Sequence, residues 1–126
     1  MAAGRVMIVD DSITVRMYHR QLLEKLGYAC DEAENGMEAL EKAQLGRYDL
    51  YLVDINMPVL DGYSFVRRLR SGEGHGAPVI MVSTEAEARD RHQSLASGAN
   101  HHIIKPARPE ELAAFARILT QPCAKE

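Results

Sequence analysis

Residues 6–11 read VMIVDD, in which four consecutive apolar residues are followed by two aspartates. A continuous apolar run of this length is typical of a strand that is buried on both faces of a parallel sheet. Similar runs lie at residues 50–53, 79–82 and 103–104, and a polar residue follows each of them. The run at 29–33 is more polar, which predicts a strand at or near the sheet edge.

Segments with the apolar spacing of helices separate these strands. Glycines follow the first three segments, where helices commonly end, and Pro109 suits the first turn of the last. The stretch 85–97 is so polar that we expect only a weakly anchored helix there. The residues with helical spacing are Val15, Tyr18, Leu22 and Leu26 before Gly27; Met37, Leu40 and Ala43 before Gly46; Phe65, Val66 and Leu69 before Gly72; and Leu112, Ala116 and Leu119 before Pro122. Five strands alternating with five helices predict an α/β fold with a doubly wound, five-stranded parallel sheet.

Length and composition exclude several classes of protein. The chain has 126 residues, of which 46% are hydrophobic and 26% charged, so we expect one globular domain. Its net charge of -3 lacks the basic excess of a surface that binds nucleic acid directly. No apolar stretch approaches the roughly 20 residues that insert across a membrane, and no signal peptide precedes the first strand, so we expect a cytoplasmic protein. Cys30 and Cys123 have no metal-ligand spacing around them and are expected to be reduced thiols.

Polar residues follow the predicted strands, at the edge where open parallel sheets bind their ligands. Asp10 and Asp11 follow the first strand, Asp54 the third, Ser83 the fourth and Lys105 the fifth. Three carboxylates so close together would repel one another unless a cation joined them. Oxygen ligands without histidine or cysteine favour Mg²⁺, or Mn²⁺, over zinc.

A simpler interpretation is that each polar residue only caps a helix or lies in a turn. Asp11 or Ser12 could cap the first helix, Ser83 or Thr84 the fourth, and Asp54 could lie in a turn. For any single position this interpretation is at least as good as a ligand site. It explains neither two consecutive aspartates nor a lysine after the fifth strand, so the set as a whole favours a site for a metal and an anion.

Short motifs lie at these strand ends in a particular order, and together they resemble the receiver domains of two-component response regulators. The resemblance is greatest to the single-domain, chemotaxis-type (CheY-like) regulators, and it covers essentially the whole chain. The joint order and spacing of the motifs make it specific. The motifs are Val9-Asp10-Asp11-Ser12, VDINMP at 53–58, Asp61-Gly62, PVIMVS at 78–83, Gly98-Ala99 and Lys105-Pro106.

The resemblance implies a flavodoxin-like receiver fold with strand order 2-1-3-4-5, formed by a single domain over residues 1–126 with its core at about 4–120. It implies that Asp54 accepts a phosphoryl group from the phosphohistidine of a sensor histidine kinase. Ser83 would donate a hydrogen bond to the phosphoryl group, Lys105 would pair with it, and the Lys105-Pro106 bond would be cis. The implied metal ligands are Asp11 and Asp54 directly, the backbone carbonyl of Asn56, and Asp10 through water.

Other positions are expected to tune the site. His102 stands three residues before the lysine, where the family usually has Tyr or Phe. His101 and His102 could make the response to phosphorylation sensitive to pH, or they could be an exposed pair with no special role. Glu85 and Asn56 each lie two residues after a site residue, where the family tunes water access, so we expect them to set the lifetime of the phosphorylated state.

The resemblance and the chain length predict a stand-alone response regulator. We expect a phosphoacceptor with self-catalysed phosphotransfer and autodephosphorylation, not an enzyme, whose 85–119 surface binds a downstream protein in a chemotaxis-like pathway. A phosphorelay intermediate or a phosphate sink is the alternative. A Mg²⁺-dependent aspartyl-phosphate phosphohydrolase is more remote, because Asn56 stands where such enzymes need a second aspartate. In a flavin carrier of similar fold, Asp10 and Asp11 would repel the cofactor phosphate.

Overall fold

Five parallel strands form one sheet in the order β2-β1-β3-β4-β5, as predicted. The computed structural model describes residues 4–72, 76–84 and 98–120. The strands are β1 (Gly4–Val9), β2 (Tyr28–Ala33), β3 (Leu50–Asp54), β4 (Val79–Ser83) and β5 (His101–Ile104). The more polar strand β2 lies at one edge of the sheet, which confirms its expected position.

Within the described ranges four helices connect the strands. They are α1 (Ile13–Lys25), α2 (Gly36–Leu45), α3 (Gly62–Ser71) and α4 (Pro109–Thr120). All four were predicted, and the helix expected over residues 85–97 lies outside the described residues. None of the helices in those ranges has the length and apolar character needed to cross a membrane.

The helices cover both faces of the sheet, and the two faces form separate halves of the core. Helices α2 and α3 pack on one face, and α1 and α4 pack on the other. Because side chains alternate along a strand, neighbouring residues of β1, β3 and β4 contribute to opposite halves. The first half contains Met7, Tyr51, Val53, Val79, Met81 and Phe65, and the second contains Ile8, Leu52, Ile80, Val82, Leu23 and Leu112.

Helix α1 shows where apolar spacing was an incomplete guide to the buried face. Its fully buried residues are His19 and Leu23, whereas Tyr18, one of the residues used to predict the helix, is 37% exposed. His19 and Leu23 are four residues apart and therefore lie on one face of the helix. The predicted end is confirmed, because Gly27 follows the cap with a φ of 96°, in the left-handed region that favours glycine.

Candidate functional site

The strand ends bring the predicted site residues together. Asp54 and Ser83 are the last residues of β3 and β4, so they belong to the strands that they were expected to follow. Asp10 comes directly after β1, where its N–H donates to the carbonyl of Ala33. The N–H of Lys105 donates to the carbonyl of Ser83 over 2.7 Å. Backbone hydrogen bonds therefore fix all four residues at the same edge of the sheet.

Three carboxylates meet at this edge. Asp10, Asp11 and Asp54 each offer an oxygen atom, and these atoms lie within 4.8 Å of one another. Asp10 and Asp54 are buried, with 2% and 4% of their surface exposed, and Asp11 is exposed. A set of carboxylate oxygens with one side open to water suits a hard divalent cation that keeps several water ligands. The residues present therefore fit Mg²⁺ or Mn²⁺.

Lys105 lies between two of these carboxylates. Its Nζ is 2.9 Å from Asp54 Oδ1 and 3.2 Å from Asp10 Oδ2. Burial raises the pKa of Asp54 to about 6, with the hydrogen bond from Lys105 opposing this rise and the charge of Asp10 adding to it. Burial lowers the pKa of Lys105, but the bond to Asp54 and the charges of Asp54 and Asp10 outweigh it, so the net shift is upward. At neutral pH the pair is a carboxylate and an ammonium group.

The loop that carries Asp10 and Asp11 is held by hydrogen bonds at the start of α1. The N–H of Ser12 donates to Asp10 Oδ1 over 2.9 Å, and Ser12 Oγ in turn accepts from the N–H of Val15 and caps the helix. Arg16 Nη1 donates to the backbone carbonyl of Asp10 over 2.6 Å. The capping interpretation was therefore right for Ser12, and it coexists with the acidic cluster.

Sequence reasoning missed Arg16. Its Nε donates to Glu32 Oε1 on the edge strand β2 over 2.8 Å, and its side chain is only 11% exposed. An arginine four residues beyond a helix cap has no pattern that shows where its guanidinium group will lie. Only the pairing of β2 with β1 places the carboxylate of Glu32 within its reach.

The loop after β3 packs a glycine against the backbone of the acceptor strand. Asp61 caps α3 through its Oδ1, which accepts from the N–H of Ser64, and Gly62 begins the helix. The N–H of Gly62 donates to the carbonyl of Ile55 over 2.8 Å. A Cβ atom at Gly62 would lie 2.3 Å from the carbonyl oxygen of Asp54. Only glycine fits there.

The two histidines of β5 have different surroundings, and the interpretation of an exposed pair is wrong. Both are partly buried, and they point to opposite faces of the sheet. The His101 ring contacts Phe115 of α4, with 3.6 Å between the ring centroids. His102 Nε2 lies 2.6 Å from Ser83 Oγ. Sequence reasoning placed His102 near the switch but had no means of finding this bond.

The remaining predictions concern Asn56, Glu85, the Lys105-Pro106 bond and the two cysteines. Asn56 is exposed in the loop after β3, two residues beyond Asp54. Glu85 lies outside the described residues. The Lys105-Pro106 bond is cis, as the resemblance implied. Cys30 is a buried free thiol, and Cys123 also lies outside the described residues.

Comparison with known proteins agrees with this geometry. The sequence model of the response regulator receiver domain matches residues 6–117. The chain belongs to this family. The transcriptional regulatory protein ResD of Bacillus subtilis (strain 168) is 39% identical over 108 residues, which are 86% of this chain and 44% of ResD. The receiver domain thus spans less than half the length of that relative.

Two solved structures show the same receiver fold. The chemotaxis protein CheY4 of Vibrio cholerae is 36% identical, with a TM-score of 0.85 over 94% of this chain and 98% of CheY4. The receiver domain of a sensor histidine kinase from Pseudomonas aeruginosa PAO1 is 32% identical, with a TM-score of 0.86 over 94% of this chain and 98% of that domain. The latter was crystallised with a magnesium ion coordinated in its active site cleft.

Proposed function

We propose that this receiver domain accepts a phosphoryl group on Asp54 from the phosphohistidine of a sensor histidine kinase. The observation that carries the proposal is the buried Asp54 carboxylate, which borders the carboxylates of Asp10 and Asp11 and is paired with Lys105 at 2.9 Å. Phosphoryl transfer needs little covalent work from a protein beyond alignment and charge stabilisation. An aligned carboxylate, a metal site and an ammonium group together supply both.

The transfer exchanges one bond to phosphorus for another. An electron pair of an Asp54 oxygen forms the new bond while the bond from phosphorus to the kinase histidine breaks, leaving its electrons on the histidine nitrogen. Asp54 must be ionised for this step, and Lys105, whose Nζ lies 2.9 Å from Asp54 Oδ1, favours the carboxylate form. Autodephosphorylation is the attack of water on phosphorus, which returns phosphate and the free carboxylate. We propose that the protein supports both steps itself.

The site residues have complementary proposed roles. Asp11 and Asp54 would bind the metal directly, Asn56 through its backbone carbonyl and Asp10 through water. A bound Mg²⁺ would supply positive charge beside the phosphoryl oxygens. Lys105 neutralises a further part of the phosphoryl charge, and Ser83 donates a hydrogen bond to it. The magnesium ion in the active site cleft of the related kinase receiver domain supports a metal at this site.

The output of the domain is proposed to be a change in the 85–119 surface. Charge-assisted bonds from Ser83 and Lys105 to a new dianion would draw the ends of β4 and β5 toward Asp54. A downstream protein would then bind this surface, while His102, Glu85 and Asn56 tune the lifetime of the phosphorylated state. The similarity to CheY4 supports a chemotaxis-like pathway.

A phosphorelay role is the second candidate, because a receiver domain of a sensor histidine kinase has a very similar fold. In that role the phosphoryl group passes from Asp54 to another histidine. Both candidates place one receiver domain over residues 1–126, with its core at about 4–120, in the cytoplasm, and both imply a sensor histidine kinase as donor. Incubation of the phosphorylated domain with candidate receptors or with histidine phosphotransfer proteins distinguishes the two candidates. Only in a phosphorelay does the phosphoryl group pass to the second protein.

Incubation with a small phosphodonor tests the acceptor directly. In the presence of Mg²⁺ we expect the intact mass to rise by one phosphoryl group, and the gain should disappear with a chelator. Asp54→Asn should abolish the gain. Asp49→Asn makes the same charge change at the opposite end of β3, where Asp49 accepts from the N–H of Arg5, and should leave it unaltered. An acid-stable label that persists in Asp54→Asn would contradict the proposal.

A further inference from the structure

A hydrogen bond joins the hydroxyl group of Ser83 to His102 beside the acceptor site. Ser83 is completely buried at the end of β4, and its Oγ is 2.6 Å from His102 Nε2. The sheet register pairs Met81 with His102, so Ser83 is the diagonal neighbour of His102 on the same face. The backbone carbonyl of Ser83 accepts from the N–H of Lys105, which holds this strand end against β5.

The single proton of the hydroxyl limits what Ser83 can do. A serine hydroxyl donates one hydrogen bond and accepts others, whereas a neutral imidazole nitrogen either donates or accepts. A phosphoryl group offers only acceptor oxygens. If Ser83 donates its proton to His102, it presents only lone pairs to that group. Ser83 can donate to phosphate and keep its bond to His102 only when His102 Nε2 carries a proton.

We propose that His102 is a positioning residue that aims the Ser83 hydroxyl proton at the phosphoryl group. In the phosphorylated domain His102 Nε2–H donates to Ser83 Oγ, and Ser83 O–H donates to a phosphoryl oxygen. The inference rests on the proposed phosphorylation of Asp54. The two bonds reinforce each other, because a hydroxyl that accepts one hydrogen bond becomes a better donor of the next. Between Ser83 and His102 only protons need to rearrange, and the 2.6 Å contact is kept while the ends of β4 and β5 move together.

The adjacent His101 provides a matched control. It is on the same strand and is also partly buried, but it faces α4 and contacts Phe115. Replacing either histidine by phenylalanine keeps an aromatic ring and removes the ring nitrogens. Only His102→Phe removes the donor to Ser83. His102→Gln keeps a side-chain N–H group and should restore part of the effect.

Beryllofluoride with Mg²⁺ serves as the probe, its fluorine atoms standing in for phosphoryl oxygens. We expect His102→Phe to weaken its binding about fivefold, the worth of one hydrogen bond, and His101→Phe to leave it unchanged. In a Ser83→Ala background, His102→Phe should have no further effect, because its action passes through the hydroxyl. Equal losses in both backgrounds would overturn the proposal.

Nitrogen NMR of the unaltered protein gives a second readout that does not depend on how the variants fold. With beryllofluoride bound, His102 Nε2 should give the signal of a protonated ring nitrogen, and a signal of an unprotonated Nε2 would refute the inference. Failure of the proposed function looks different: beryllofluoride would then not bind the native domain, or would bind Asp54→Asn equally well.

Discussion

At the scale of single residues, Arg16 connects the acidic loop to the sheet edge. Its guanidinium group donates to the carbonyl of Asp10 and to the carboxylate of Glu32. Arg16 holds the backbone carbonyl of Asp10, and Asp11 is the next residue along the chain. Groups that orient metal ligands commonly change metal affinity about tenfold or more when they are removed. We therefore expect Arg16→Ala to weaken Mg²⁺ binding about tenfold, measured by titration calorimetry.

Arg20 is the matched control for this prediction. Its Nη1 donates to the other oxygen of Glu32 over 2.6 Å, and its Nε pairs with Glu24. It makes the same kind of charged contact to β2 as Arg16, but only Arg16 reaches the acidic loop. Arg20→Ala should therefore leave Mg²⁺ affinity unchanged. If both substitutions weaken binding equally, the shared contact with Glu32 and not the contact with the acidic loop is responsible.

The predictability of residues depended on whether the backbone alone placed them. Asp10, Asp54 and Lys105 could be assigned to one site because the ends of parallel strands meet at one edge, whichever way the side chains turn. Arg16 and His102 reach their partners through long or rotatable side chains. Their contacts depend on strand register and packing, which the sequence does not specify locally.

At the scale of secondary structure, the close packing of α3 on β3 determines the position of Asp54. A Cβ atom at Gly62 would collide with the carbonyl oxygen of Asp54 at 2.3 Å and with Cα of Ile55 at 2.9 Å. Both are backbone atoms and can yield only if the strand end moves. We expect Gly62→Ala to destabilise the domain by about 1–3 kcal/mol and to slow phosphorylation, as checked by urea unfolding and the rate of mass gain.

Gly76 is a suitable comparison, since a Cβ atom there would meet no atom within 4 Å. Gly76→Ala should change the free energy of unfolding by less than about 0.5 kcal/mol, as surface substitutions commonly do. Normal phosphorylation and stability of Gly62→Ala would show that the β3 end can shift without cost. That result would remove the proposed link between this helix and the acceptor.

The elements themselves were predictable from alternation, but their edges and faces were less so. β3 and β4 extend to Asp54 and Ser83 because the backbone ladder continues beyond the apolar side chains. In α1 the buried centre includes His19, a polar residue that apolar spacing passes over. Burial of a histidine depends on tertiary structure, which here places His19, Lys105 and Pro106 around one pocket.

At the scale of the whole molecule, the dependence of stability on pH is the sum of contributions from several buried groups. Some of these contributions have opposite signs. Burial, together with the positive charge of Lys105, lowers the pKa of His19 to about 4. Burial raises the pKa of Asp54 to about 6. Between pH 6.5 and 4 the unfolded chain binds a proton at His19 that the native protein does not, so acid destabilises the fold. At Asp54 the native protein binds the proton first, so acid stabilises it.

The contributions of His19 and Asp54 have opposite signs over this pH range. At about 1.4 kcal/mol per pKa unit, each shift contributes roughly 3 kcal/mol between pH 6.5 and 4. Hydrogen bonds also hold the pKa of Asp31 and Glu32 below their usual values, in spite of partial burial. These two carboxylates add a loss of stability as pH falls, since acid protonates them more readily in the unfolded chain.

Replacing His19 should remove its contribution to the pH dependence of stability. In metal-free buffer we expect the free energy of unfolding of the native protein to fall relative to that of His19→Gln by about 3 kcal/mol between pH 6.5 and 4. Urea unfolding at closely spaced pH values measures this difference. The substitution also alters core packing, but that effect is the same at every pH and leaves the slope untouched. Parallel profiles for the two proteins would mean that burial does not lower the pKa of His19.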